Sequence, residues 1–210
     1  MYKAVRERGG VCIADEVQTG FGRVGKKFWA FELDSEETVP DIVTMGKPAG
    51  NGHPLSVVAT TRAIADAFND GREYFNTFGG NPVSCAVGLE VLKTIKEEKL
   101  QENADIQGQF LKQKLSQLRE KYPVIGDIRG EGLFLGIDLV KDPNSRTPNP
   151  ELAAFAVERL KDFGILLDCD GPGENVMCVK PPIIIEKKDL EYFVDRFETI
   201  LTEWESKTSP

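Results

Sequence analysis

Asp15 and Lys47 are the residues whose types and settings suggest chemistry. Asp15 closes the apolar run Val11-Cys12-Ile13-Ala14, and Lys47 follows a second run, Asp41-Ile42-Val43-Thr44, that begins after Pro40. An acid at the nitrogen of a pyridine ring keeps that ring protonated as an electron sink, and a lysine amine forms a Schiff base and later moves a proton. These are the two groups a pyridoxal 5'-phosphate (PLP) enzyme needs. Each residue alone has a plainer reading, because acids at strand ends usually cap turns and lysines after strands are usually solvated. The setting of Lys47 argues for more: it lies between Gly46 and the turn Pro48-Ala49-Gly50-Asn51-Gly52, where backbone can approach a ligand closely. His53, in the same turn, reads as structural rather than catalytic.

These side chains need a scaffold, and the sequence describes one. Two short apolar runs bounded by turn residues read as parallel strands covered on both faces, which puts Asp15 at a carboxyl end, where open α/β sheets collect ligands. Leu55 to Thr60 reads as a third strand, Thr61 to Phe68 as a helix, and Thr77-Phe78-Gly79-Gly80-Asn81-Pro82 as a loop. After Pro82 a long helical region carries Ala86, Leu89, Leu92 and Ile95, then Phe110, Leu111, Leu115 and Leu118, up to Pro123. Beyond it the pattern is strand (132–140), polar loop (141–150), helix (151–163), strand (165–167) and strand (176–179). Leu190, Phe193, Val194, Phe197, Ile200, Leu201 and Trp204 mark a closing amphipathic helix. This alternation predicts a partial α/β domain over residues 1–122, ending in a linking helix, and a small α+β domain over 123–210.

Composition narrows the function. The 210 residues are 40% hydrophobic and 29% charged, enough for a substantial core. A net charge of -8 disfavours nucleic acid and anionic membranes as partners. The longest apolar runs are too short to span a bilayer, and no signal-peptide core opens the chain. Four cysteines without a C-x-x-C pair and a single histidine argue against a metal site. The cysteines read as small buried hydrophobes, Cys12 most clearly, in a reducing compartment: cytoplasm or mitochondrial matrix.

The words Asp15-Glu16-Val17-Gln18-Thr19-Gly20-Phe21-Gly22-Arg23 and Met45-Gly46-Lys47 resemble the class III (omega) PLP-dependent aminotransferase family, and the resemblance runs over essentially the whole chain. It implies a fold-type I PLP transferase with a mostly parallel large-domain sheet. It implies that Lys47 is the Schiff-base lysine, that Asp15 meets the pyridine nitrogen and that Gln18 reaches the phenolic oxygen. Thr77 matches the threonine that reaches the PLP phosphate of the neighbouring subunit, aided by nearby backbone N–H groups, so a homodimer with shared sites is expected. Arg129, in Ile128-Arg129-Gly130-Glu131-Gly132, matches an arginine that clamps the substrate carboxylate.

The expected activity is imine chemistry on an amine or amino-acid substrate, ending in amino transfer or in loss of a neighbouring phosphate. Gly46 to Pro54, with Asp170-Gly171-Pro172 and Lys180-Pro181-Pro182, resembles most the alanine–glyoxylate aminotransferase 2-like and ethanolamine-phosphate or phosphohydroxylysine phospho-lyase branch, which favours a phospho-lyase. Family members also carry a long N-terminal stretch, with the main phosphate loop and the aromatic residue stacked on the ring, that is not in this sequence. The alternative expectation is therefore a truncated, non-catalytic fragment unable to retain PLP by itself.

Overall fold

The computed structural model describes residues 1–35 and 37–208, so the last two residues of the expected small domain lie outside it. The chain divides into two compact units, Met1–Glu102 and a second that begins at Asn103.

The first unit holds α1 (Tyr2–Arg6), β1 (Ile13–Asp15), β2 (Ile42–Met45), β3 (Val57–Thr60), α2 (Arg62–Phe68) and α3 (Pro82–Glu97). β1 and β2 pair in parallel with Asp15 beside Thr44, as the two apolar runs predict. β3 pairs with β2 antiparallel, which corrects the reading of Leu55 to Thr60 as a further parallel strand. The expected cover on both faces is also missing from β3, whose residues are all exposed. Asp41 fastens the start of this sheet. It accepts from the Cys12 backbone at 2.7 Å and from Arg6 Nε at 3.1 and 3.2 Å.

α4 (Leu100–Lys121) follows a break at Lys99, whose φ of 53° stops α3 from running on. From Asn103 on, α4 belongs to the second unit with β4 (Ile125–Glu131), β5 (Phe134–Leu139), α5 (Pro150–Asp162), β6 (Asp168–Asp170), β7 (Val176–Val179) and α6 (Lys187–Thr208). The strands form one sheet in the order β4-β5-β7-β6, antiparallel throughout. Leu135, Ile137 and Leu139 alternate inward on β5, as period-two burial requires. They meet Leu152, Ala156 and Leu160 of α5 and Phe193, Phe197 and Ile200 of α6 in a single core that also takes Leu111 and Leu115 of α4. Asn149 starts α5 by accepting from Leu152 N at 3.1 Å.

Two strand expectations shift. β4 has no counterpart in the sequence reading, and the expected strand at 165–167 is found three residues later as β6. The cysteines divide too: Cys12 is buried, Cys169 and Cys178 are half-buried, and Cys85 is exposed, contrary to the uniform buried reading. Among the described residues no group of His, Cys, Asp and Glu could hold a metal ion, and no helix is long and apolar enough to cross a membrane.

Candidate active site

Asp15 and the turn that opens at Lys47 leave the carboxyl ends of the neighbouring parallel strands β1 and β2. Thr44 Oγ1 donates to Asp15 Oδ1 at 2.9 Å, and Val17 N donates to the same oxygen at 3.2 Å. One carboxylate oxygen is thus fixed, while Oδ2 has no hydrogen-bond partner among the described residues. Glu16 N donates to Thr44 O at 2.9 Å, and a Cβ on Gly46 would lie 3.7 Å from Val17 Cγ1, so the segments that leave the two strands run side by side. Gln18, in the turn that follows Asp15, is exposed.

Lys47 opens a one-turn 3-10 helix, Lys47–Ala49, after Gly46. Its φ is +32°, a left-handed conformation uncommon for a residue with a side chain. Ala49 N donates to Gly46 O at 2.8 Å and Asn51 N to Lys47 O at 3.2 Å, which holds the turn shut. The Lys47 amine makes no ion pair among the described residues. An acid with one free oxygen, a side-chain amide and an unpaired amine on adjoining turns are the donor set that suits the pyridine and aldehyde ends of PLP.

Two residues that sequence reasoning passed over build this corner. Thr44 is one; laying the two apolar runs side by side in parallel would have found it. The other is Glu16, only 2% exposed, whose carboxylate accepts from Phe31 N at 2.8 Å and Thr19 Oγ1 at 2.7 Å. It shares the inward parity of Cys12 and Ala14, a signal legible in strand alternation. Glu16 thus ties the segment after Asp15 to Phe31, two residues past a cluster of Phe21, Phe28 and Trp29 with ring centroids 4.8 to 5.8 Å apart.

Thr77 is exposed in the loop before α3. The N–H groups of Phe78 and Gly79 donate to Asn76 Oδ1 at 3.1 and 3.0 Å, so the glycine-rich loop satisfies two of its own donors. Of the expected phosphate cradle, the Thr77 hydroxyl and the N–H groups of Thr77 and Gly80 have no hydrogen-bond partner among the described residues. His53, from the Lys47 turn, bonds Ser84 of α3 at 2.7 Å between Nε2 and Oγ, in keeping with a structural role.

Arg129 belongs to the second unit and sits inside β4. Its Nη1 donates to Asp138 Oδ2 at 2.7 Å and Asp127 Oδ2 at 3.3 Å. Asp127 and Asp138 face each other across β4 and β5, an unfavourable pairing of like charges that Arg129 offsets together with Arg119, 3.7 Å from Asp127. The Asp138 hydrogen bond, more than the charges, raises Arg129 above its ordinary range. Nε and Nη2 make no hydrogen bond among the described residues, so one edge of the fork is open.

Known proteins resemble this chain over most of its length. The family model for class III aminotransferases (Aminotransferase class-III) matches residues 3–201. Ethanolamine-phosphate phospho-lyase homolog 1 of Caenorhabditis elegans is 50% identical over 94% of this chain and 43% of its own length. Alanine–glyoxylate aminotransferase 2-like of Drosophila melanogaster is 48% identical over 96% of this chain and 41% of its own. The structure of an Arthrobacter phospholyase in complex with phosphoethanolamine superposes with a TM-score of 0.91 at 38% identity, covering 96% of this chain and 47% of that one. The chain thus spans less than half the length of these relatives.

Proposed function

The chain belongs to the class III aminotransferase family, whose members are fold-type I and PLP-dependent, and from that premise we propose a PLP-dependent transaminase or phospho-lyase acting on a primary amine, with the phospho-lyase favoured. The observation that carries the reading is Asp15 and the Lys47 turn leaving neighbouring parallel strands at the same end, with Thr44 of the second strand bonded to Asp15 of the first. The lean towards phosphate loss is supported by the likeness to the worm phospho-lyase homologue and the Arthrobacter phospholyase.

When bound, PLP supplies an electron sink for negative charge at the substrate carbon that bears nitrogen. Asp15 would meet the ring nitrogen with Oδ2 while Thr44 holds Oδ1, and Gln18 would donate to the phenolic oxygen. Lys47 would hold the aldehyde end and then act as general acid and base at the substrate carbon. Thr77 would lend its hydroxyl to the phosphate in a second copy of the chain, which makes the assembly a homodimer with shared sites. Arg129 would offer its Nε and Nη2 edge to an acidic group of the substrate. Residues 1–122 serve as the cofactor-binding part and 123–210 as the small domain, in the cytoplasm or mitochondrial matrix.

The test is absorbance of the chain with PLP before and after borohydride, beside Lys47→Ala. A band that reduction fixes to Lys47 is expected, with inorganic phosphate released from phosphoethanolamine or phosphohydroxylysine. Efficient amination of pyruvate or glyoxylate without phosphate release overturns the phospho-lyase in favour of the transaminase. A second reading, a fragment unable to retain PLP, is favoured by the two loop N–H groups committed to Asn76. No lysine-dependent band would establish it.

A further inference from the structure

The turn that carries Lys47 and the loop that carries Thr77 are joined by a chain of side-chain hydrogen bonds. His53 N donates to Gly50 O at 3.0 Å, closing the turn, and a Cβ on Gly50 would fall 2.0 Å from His53 O, so the two backbones meet directly. The His53 ring then reaches Ser84 Oγ, on a residue only 4% exposed. Asn81 caps α3 by accepting from Ser84 N at 2.9 Å, and its Nδ2 donates to Ser84 Oγ and to Phe78 O, each at 2.9 Å. Phe78 is the neighbour of Thr77. One turn further along the same face of α3, Gly88 admits the Leu55 side chain and approaches Ala49 O, giving the helix a second seat on the Lys47 turn.

We propose that His53 is a positioning residue that sets the Thr77 loop against the Lys47 turn, so that the element meant for the aldehyde of one PLP and the element lent to the phosphate of the second copy's PLP move as one piece. This rests on the reading of Lys47 and Thr77 given above. Asn81 donates to Ser84 Oγ and leaves the Ser84 hydroxyl proton free to go to His53 Nε2, an arrangement that requires the Nδ1–H tautomer of the imidazole. The chain has one histidine, so its ring signals can be read without assignment.

The experiment compares the chain with its H53L, H53Q and S84A variants in three readouts: amide exchange across residues 76–85, the tautomer of the imidazole, and PLP fixed to Lys47 by borohydride. H53L and S84A should speed exchange in 76–85 about fivefold, the worth of one hydrogen bond, and lower the yield of fixed PLP. S84A should release the Nδ1–H preference, and H53Q, whose carboxamide oxygen can accept the Ser84 proton, should restore exchange and fixation. S84A breaks the tie from its other end should H53L fail to fold. Unchanged exchange in both H53L and S84A overturns the proposal. Faster exchange with undiminished fixation overturns the cofactor role while upholding the tie. No fixation in the unaltered chain defeats the reading of Lys47 and the positioning role with it, and the exchange readout then decides only the tie.

Discussion

Ile137, Leu152, Met177, Phe197 and Ile200 of the second unit are fully buried, whereas from Ser56 to Gly80 in the first unit every residue except Ile64 is exposed. Val58, Phe68, Tyr74, Phe75 and Phe78 are each more than 60% exposed in that stretch. Apolar surface of this extent on one segment is the mark of a face made to be covered. The difference separates two jobs. The second unit closes its own core, with a sheet on one side and α4, α5 and α6 on the other. The first unit holds Asp15, Gln18, Lys47 and Thr77 on turns whose stiffness comes from hydrogen bonds, ring contacts and the tightness of the turns themselves.

The sharpest break in this comparison would come from truncating a large side chain in each unit. Phe197→Ala should cost about 3–5 kcal/mol, while Val58→Ala should stay within about 0.5 kcal/mol. The two tryptophans, Trp29 and Trp204, fall one in each unit, so urea unfolding followed by emission in single-tryptophan versions reports each separately. A Val58→Ala penalty as large as that of Phe197→Ala would mean that β3 is covered in solution. Next in size is Glu16→Ala, which leaves the half-buried Phe31 N–H without its acceptor and should cost about 1 kcal/mol, seen at Trp29 and not at Trp204.

The smallest effect is electrostatic. The backbone N–H of Cys12 first, then Arg6, hold the Asp41 carboxyl below its ordinary range. A carboxyl lowered on folding contributes stability that is full above its unfolded value, about 3.9, and is lost as pH falls towards the lowered folded value. Asp41→Asn should therefore flatten the acid limb of the Trp29 signal and leave that of Trp204 unchanged.

What the sequence disclosed follows the same division. The Asp15 and Lys47 strands were legible because apolar runs with clear ends and two motif words coincide there. The hand of β3 was not, since a short apolar run pairs equally well either way and only the route of the chain decides. β4 escaped notice because Gly126, Asp127, Arg129 and Gly130 carry no strand signal; the strand exists because β5 lies beside it and Arg129 reconciles Asp127 with Asp138. Leu166 drew the β6 prediction too early: it is 81% exposed, while the polar Asp168-Cys169-Asp170 supplies the pairing. The bond from His53 to Ser84 joins residues 31 apart, beyond the reach of any local pattern.

The positive φ of Lys47 has a bearing on how this position tolerates replacement. A left-handed backbone costs a side-chain-bearing residue roughly 1 kcal/mol or more, and glycine nothing. Alanine there would inherit the strained bend without the amine; glycine would relax it. Lys47→Gly is therefore the gentler erasure, leaving the bend unstrained and a gap where the side chain was. On the proposed role of Lys47, a small free amine such as methylamine should enter that gap and restore in part what the lost side chain supplied.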